Sequence, residues 1–93
     1  MDITWDPNKA ATNPRDHDGV TFEQGAIAFN DPRAVELLDT REEYGEDRYI
    51  LHGMYQGQVL YIVYTERGET IRLISARKAT RYETDHYYRE NAT

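Results

Sequence analysis

Alternating apolar and polar residues in the second half of the chain predict an antiparallel sheet. Three runs, at 48–55, 59–65 and 70–76, are rich in β-branched and aromatic residues. The segments between them, Gln56-Gly57 and Glu66-Arg67-Gly68-Glu69, have the length and glycine content of hairpin turns. The middle run is apolar at nearly every position, which is typical of a strand buried on both faces. We therefore predict a three-stranded meander with the middle run as its central strand.

The first residues predict a short strand followed by a helix. Ile3 and Trp5 lie on one face of an extended segment. Asp6-Pro7 is typical of a helix start, because Asp caps well and Pro suits the first helical position. The helix is expected over 8–13. Pro14 should kink or interrupt it, since proline has no backbone N–H and disfavours helical geometry in the residue before it.

Two capping boxes indicate further helices. At 21–24 and again at 80–83, a Thr is followed three residues later by Gln or Glu, a pairing that satisfies free backbone donors of a first helical turn. The first box opens a helix with Phe22, Ala26 and Phe29 on one face, ended by Asp31-Pro32. A short strand at 35–38 and an acidic loop at 39–47 follow. The second box opens a polar, tyrosine-rich helix that runs to about Glu90.

Composition fits one small domain over residues 1–93 with an α+β fold. The chain contains no cysteine, which excludes disulfides, zinc–thiolate sites and thiol nucleophiles. The first ten residues carry charges and a proline and do not resemble a signal peptide. No stretch is long enough to span a membrane. We therefore expect a cytoplasmic protein that makes no membrane contact.

The charge distribution restricts any nucleic-acid site to a small region. The formal net charge is −6, which argues against broad affinity for nucleic acid because such affinity needs many neutralised phosphates. Carboxylates dominate the first half of the chain. Arginine and lysine are concentrated in the second half, above all in the strand-like run that ends in Ile74-Ser75-Ala76-Arg77-Lys78-Ala79. A local cationic edge is therefore predicted beside that strand.

Several motifs in a fixed order resemble a known family. In chain order they are Trp5-Asp6, Lys9, Asn13, His17, Gly19, Phe22, Phe29-Asn30-Asp31-Pro32, Glu46-Asp47-Arg48, Thr65-Glu66-Arg67-Gly68 and Ile74-Ser75-Ala76-Arg77-Lys78-Ala79. Together they are similar to the BrnT toxins of bacterial type II toxin–antitoxin systems, within the RelE-like ribonuclease group. The chain departs from the family pattern at Pro14, Asp16 and Asp18, all in the first helical region.

The resemblance implies a fold and a function. The fold would be RelE-like, with a short N-terminal strand, two helices, an antiparallel β-meander and a C-terminal helix. The protein would be an endoribonuclease that cleaves RNA without metal or other cofactor and inhibits translation and growth. A BrnA-like ribbon-helix-helix antitoxin would neutralise it in a complex of two toxins with two antitoxins, and operator DNA would be bound only through the antitoxin. The three departures motivate an alternative, a catalytically weakened binding module that acts through the antitoxin and operon autoregulation.

RNA cleavage to a cyclic phosphate needs a base, cationic donors for the phosphorane and an acid. Arg48, Arg77 and Lys78 are the candidate donors, and we expect them to meet at one end of the sheet. His17 is the candidate acid or base. Alternatively, it has a structural role at the helix end, hydrogen-bonded to Asp16 or Asp18. Glu46 is a second candidate base. Alternatively, it is a solvated carboxylate in the loop without a catalytic role. Candidate RNA-binding residues are Lys9, Arg67, Arg72 and Ser75.

For the remaining histidines, and equally for Arg72, a purely structural role is considered, and no metal site is expected. His52 lies in a strand and is expected to be packed and hydrogen-bonded, and His86 is expected at the surface or an interface. Arg72 alternates with apolar neighbours and would equally serve as a surface residue paired with a carboxylate. Asp16-His17-Asp18 carries metal-ligand types, but adjacent residues rarely converge on one ion, so no metal site is predicted.

Overall fold

The computed structural model describes residues 2–92, which form three helices and one five-stranded sheet. In chain order the elements are β1 (Asp2–Trp5), α1 (Pro7–Asp16), α2 (Phe22–Phe29), β2 (Val35–Asp39), β3 (Arg48–Tyr55), β4 (Gln58–Arg67), β5 (Thr70–Lys78) and α3 (Arg81–Glu90). The predicted α+β class and order of elements are confirmed, while the RelE-like label stays a prediction. No helix within these residues is long and apolar enough to cross a membrane.

The sheet has the strand order β1-β5-β4-β3-β2. Strands β2 to β5 pair antiparallel, which confirms the meander, and β1 pairs parallel with β5. β4 occupies the centre, as its continuous apolar sequence predicts, and seven consecutive residues of it are buried. Within the described residues, the outer edges of β1 and β2 have no strand partner.

The two faces of the sheet are covered unequally. α1 and α2 pack on one face, where Phe22 and Ala28 join Leu60, Ile62 and Leu73 in the main core. We call this the α1/α2 face. The opposite face carries a smaller cluster of Ile50, Tyr61 and Val63, with Ile74 against it. α3 contacts β3 and β4 there, and we call this the α3 face.

α1 continues past Pro14, so the predicted interruption was wrong. The proline lies in the last turn, and the helix ends two residues later, with the backbone N–H of His17 donating to the carbonyl of Asn13 at 2.8 Å. Because only two helical residues follow Pro14, its missing donor and its clash with the preceding turn affect only the end of the helix. Asn13 also anchors this turn from inside the core, because its Nδ2 donates to the carbonyl oxygens of Val20 and Ala76, both at 2.8 Å.

α2 lies very close to the sheet because Gly53 has no side chain. A Cβ atom at Gly53 would overlap the carbonyl oxygen of Ala28. Both predicted capping boxes are present: Thr21 with Gln24 opens α2, and Thr80 with Glu83 opens α3. Strand β5 extends to Lys78, so the basic residues after Ala76 belong to the strand and do not follow it.

Candidate functional site

One extra residue in β5 determines which of its side chains share a face of the sheet. Ser75 lies opposite Val63 and Leu73 lies opposite Tyr64, so Ile74 forms a β-bulge between them. Side chains alternate between faces along a strand, and an extra residue shifts that alternation for everything after it. The second half of β5 is therefore out of phase with the first half.

Because of the bulge, the basic residues of β5 divide between the two faces. Arg72 lies opposite Thr65 and Arg77 lies opposite Tyr61, which places both on the α3 face together with Ser75. Lys78 lies opposite Leu60, a residue of the main core, and therefore belongs to the α1/α2 face. The two adjacent cations that the sequence grouped together thus point in opposite directions.

Arg48 lies on the α3 face but far from Arg77. It pairs with Thr65 of β4, whereas Arg77 pairs with Tyr61, four residues further along the same strand. Four residues of a strand span roughly 13 Å. The expectation that Arg48, Arg77 and Lys78 form one pocket was wrong. β3 and β5 run parallel, so the start of β3, with Arg48, and the end of β5, with Arg77 and Lys78, lie at opposite ends of the sheet.

Arg48 and Arg72 form a row across the end of the sheet away from α3. Both lie opposite Thr65, so their backbones are roughly 10 Å apart, two strand spacings. Within residues 2–92 neither forms a salt bridge with a carboxylate. The Arg48 guanidinium lies 4.0 Å from the centre of the Tyr44 ring. Its Nε is buried without a hydrogen-bond partner in that part of the chain. Arg48 and Arg72 therefore lie in one row on this face, and neither is paired with a carboxylate within residues 2–92.

Glu46 and Arg67 lie at the edge of this row. Arg67 continues the α3-face alternation of β4 past Thr65 and pairs with Thr70 in β5. Its guanidinium donates to Glu46 at 3.3 Å, in an ion pair that remains largely exposed. Such a pair contributes little to stability and exchanges readily with other partners. Glu46 is therefore a carboxylate near Arg48 and Arg72 that is held only loosely.

Arg77 is held much more firmly. Its two terminal nitrogens donate to the two carboxylate oxygens of Glu83 in α3, at 2.8 and 3.0 Å, and its guanidinium lies 3.7 Å from the centre of the Tyr61 ring. Burial opposes ionisation of Glu83, yet hydrogen bonds from Arg77 and Thr80 together hold its pKa below the usual range. Glu83 also closes the α3 capping box. Both terminal nitrogens of Arg77 are thus already hydrogen-bonded within the protein, to Glu83.

Two histidines meet beside Arg77, an arrangement that the sequence reading missed. His52 is buried and lies with its Nδ1 3.4 Å from the Nδ1 of His86 in α3. Burial lowers the pKa of His52, so its neutral form is favoured. His86 is partly exposed, as expected for a surface position, with 21% of its side chain accessible, and its inner side lies against His52 where α3 packs on the sheet. Strand alternation in the sequence already places His52 on the same face as Arg48. The contact with His86 could not be predicted, because the sequence did not show where α3 packs on the sheet.

The remaining candidates lie on the α1/α2 face. His17 caps the end of α1, and no side-chain hydrogen bond to Asp16 or Asp18 is present within residues 2–92. The next residues, Asp18 and Gly19, line a cleft of about 260 Å³ with Lys78. Lys9 is exposed on α1. Lys78 and the segment directly after His17 therefore border the same cleft, on the opposite face of the sheet from Arg48 and Arg72.

The α3 face has the chemistry of a phosphodiester-binding surface. It combines two free guanidinium groups, a hydroxyl from Ser75 and a weakly held carboxylate at the edge. Planar guanidinium groups match phosphate oxygens bidentately. The α1/α2 cleft offers one lysine beside an aspartate. Charge and donor number thus favour the α3 face for an RNA backbone.

A comparison with protein families agrees with this chemistry. The family model described as "Ribonuclease toxin, BrnT, of type II toxin-antitoxin system" matches residues 5–83. The match includes both faces of the sheet and extends to Glu83 in the first turn of α3. No individual curated protein matches the chain.

Proposed function

The chain belongs to the BrnT family of ribonuclease toxins of type II toxin–antitoxin systems, and from that premise we propose that it cleaves RNA on the α3 face of its sheet. The observation that carries this proposal is the row of Arg48 and Arg72, two free cations that share one face with Ser75. Family membership makes the protein a ribonuclease toxin with an antitoxin partner. The location of the site is our inference.

In this proposal Arg48 and Arg72 bind the scissile phosphate. As the 2′-oxygen attacks phosphorus, negative charge increases on the non-bridging oxygens, and guanidinium donors positioned there stabilise it. Ser75 donates a further hydrogen bond from the same face. Arg77 orients α3 through Glu83 and contacts RNA only after exchanging that partner.

Glu46 is the proposed general base. Its carboxylate takes the proton of the 2′-hydroxyl, the 2′-oxygen bonds to phosphorus, and the bond from phosphorus to the 5′-oxygen breaks. The 5′-oxygen takes a proton from solvent, which leaves a cyclic phosphate and a free 5′-hydroxyl. We propose that no metal takes part; residues 2–92 contain no group of three or more His, Cys, Asp and Glu side chains placed to hold an ion. His17, Lys78 and Lys9 have no role in this scheme, since they lie on the other face.

The cellular role and the antitoxin complex are likewise proposed, on the basis of family membership. RNA cleavage in the cytoplasm would inhibit translation and arrest growth. A BrnA-like ribbon-helix-helix antitoxin would neutralise the toxin in a complex of two toxins with two antitoxins. Operator DNA would be contacted only by the antitoxin, since the toxin carries a net charge of −6.

Single variants distinguish the two faces. Arg72→Ala is expected to lower the rate of RNA cleavage by the purified protein about 10- to 100-fold, because it removes a charge-assisted hydrogen-bond donor. Lys78→Ala should leave the rate within about twofold of the original. Arg15→Ala, at an exposed arginine in the last turn of α1, is the matched control. A large loss in Lys78→Ala with full activity in Arg72→Ala would contradict the proposal and favour the cleft beside His17.

A catalytically weakened binding module is the second candidate function. It is favoured by one observation: Arg77 is fully engaged by Glu83 and is not free for substrate. Expression without the antitoxin separates the two functions. Growth arrest that Arg72→Ala abolishes supports the nuclease, and normal growth with intact folded protein supports the binding module.

A further inference from the structure

The outer edge of β2 is built to accept another strand. β2 ends the sheet, so every second backbone N–H and C=O along it points away from the protein, with no partner strand among residues 2–92. Leu37 and Leu38 project to opposite faces and remain 42% and 54% exposed. The strand contains no proline, lysine or bulge, and its two carboxylates are engaged within the chain, Glu36 by the Tyr64 hydroxyl and Asp39 by Arg41.

The loop that follows β2 is strongly acidic. A cleft of about 350 Å³ begins at Leu38 and is lined by residues that include Glu42, Glu43, Glu46 and Asp47. Asp39 is neutralised locally, because Arg41 donates to both of its carboxylate oxygens at 2.8 Å and lowers its pKa to about 2. Among residues 2–92, the only salt bridge to the other carboxylates of this cleft is the exposed pair between Glu46 and Arg67.

We propose that the antitoxin binds as an extended segment along the outer edge of β2. In this arrangement its backbone continues the sheet, its apolar side chains contact Leu37 and Leu38, and a lysine or arginine enters the acidic cleft. Main-chain pairing would provide affinity, and the two leucines with the cleft would provide specificity. The inference rests on the antitoxin partner that family membership implies and not on the proposed catalytic residues.

Charge argues against a second copy of this chain as the occupant. Pairing β2 with β2 would bring Glu36 and the carboxylates of both 42–47 loops together across the new interface. Each chain already carries a net charge of −6. Like charges placed opposite each other are unfavourable, and the electrostatics select a basic segment instead.

This position also explains how the antitoxin would inhibit the toxin. β2 pairs with β3 so that Asp39 lies opposite Arg48, and Glu46 contributes to the cleft beside it. A segment bound along β2 with its basic side chain in the cleft would lie next to Arg48. The bound antitoxin would therefore cover the row of cations from its edge without displacing α3.

The test uses the full-length toxin and its purified cognate antitoxin. Leu38→Lys is expected to weaken antitoxin binding at least tenfold in calorimetry, and Glu43→Lys should weaken it in the same direction. Ile27→Lys alters an equally exposed apolar residue on α2 and is the matched control, with affinity unchanged. Hydrogen exchange should show new protection of outward-facing β2 amides in the complex.

Several results would overturn the proposal. Unaltered affinity in both Leu38→Lys and Glu43→Lys, or unchanged β2 exchange on binding, would place the antitoxin elsewhere. A free toxin that sediments as a dimer, and becomes monomeric in Leu38→Lys, would assign the edge to a second copy. RNA cleavage by free Leu38→Lys measures the nuclease separately, so failure of the catalytic proposal would not affect the binding result.

Discussion

At the level of single residues, Ile74 decides which charges act together. Without its bulge, regular alternation would place Arg77 with Ile71 and Leu73 on the α1/α2 face and Lys78 with Arg72 on the other. The bulge reverses both assignments. Asn13 shows a similar dependence on one side chain, because it joins α1, the segment after it and β5 through three hydrogen bonds to buried backbone.

Asn13→Ala is expected to lower the free energy of unfolding by at least about 2 kcal/mol. The substitution leaves the carbonyls of Val20 and Ala76 buried without that donor, and each such group costs about 1–3 kcal/mol. Urea unfolding followed by circular dichroism measures the change. Asn8→Ala, at an exposed position on the same helix, is the control and should change stability by less than about 0.5 kcal/mol.

At the level of elements, α3 is attached mainly by polar contacts. Tyr87 donates to Asp31 at 2.5 Å, His86 lies against His52, and Glu83 binds Arg77. Burial, followed by the bond to Asp31, raises the pKa of Tyr87 to about 12. Two tyrosines of the helix, Tyr82 and Tyr88, remain mostly exposed. The docking of α3 should therefore depend on protonation more than the rest of the fold.

Stability is expected to fall as the pH drops below about 6.5. Burial lowers the pKa of His52, with a further decrease from His86 and Arg77 and an opposing increase from Glu83. The unfolded chain therefore binds more protons than the folded one in this range, so the stability contribution of neutral His52 is complete above about pH 6.5 and is lost below it. Unfolding free energies measured between pH 7.5 and 5 test this.

His52→Gln is the matched variant for the pH experiment. It should flatten the dependence between pH 7 and 5, because the group that titrates there is gone. The carboxylates with lowered pKa, Asp31, Asp39 and Glu83, lose their contribution only in a more acidic range. The same slope in His52→Gln as in the original protein would show that another group controls this range.

At the level of the whole molecule, an acidic protein places two arginines without a carboxylate partner within residues 2–92, Arg48 and Arg72, in one row on the α3 face. Such a protein binds RNA through few phosphates, since its other surfaces repel the backbone. Acidic residues are concentrated instead in the loop after β2, at the proposed antitoxin edge. Opposite charges thus separate the proposed substrate and antitoxin surfaces, although both lie near Arg48.

RNA affinity should show a shallow dependence on salt. If Arg48 and Arg72 each form one ion pair with the RNA backbone, the logarithm of the association constant should fall against the logarithm of salt concentration with a slope of about −1.4. Arg72→Ala should reduce that slope by about 0.7. Fluorescence anisotropy with a non-cleavable single-stranded RNA measures both values. A slope steeper than about −4 would reveal a broader contact surface than this site provides.

Much of the fold could be predicted from the sequence because its signals are local. The capping boxes at Thr21 and Thr80, the glycine turns of the meander and the apolar run of β4 each act within a few residues and are all confirmed. The α+β class follows from their order. Pro14 misled the prediction because its effect depends on how near the helix end lies.

The site depended on contacts between distant residues. The sequence by itself determined the elements, the family and the side of β5 to which Arg72 points relative to its neighbours. Only the tertiary structure decided that Arg77 shares that face, that Arg48 lies far from Arg77, and that His52 meets His86. The physical reason is that faces alternate at every residue, so one bulge or one shift of strand register moves a charge across the sheet.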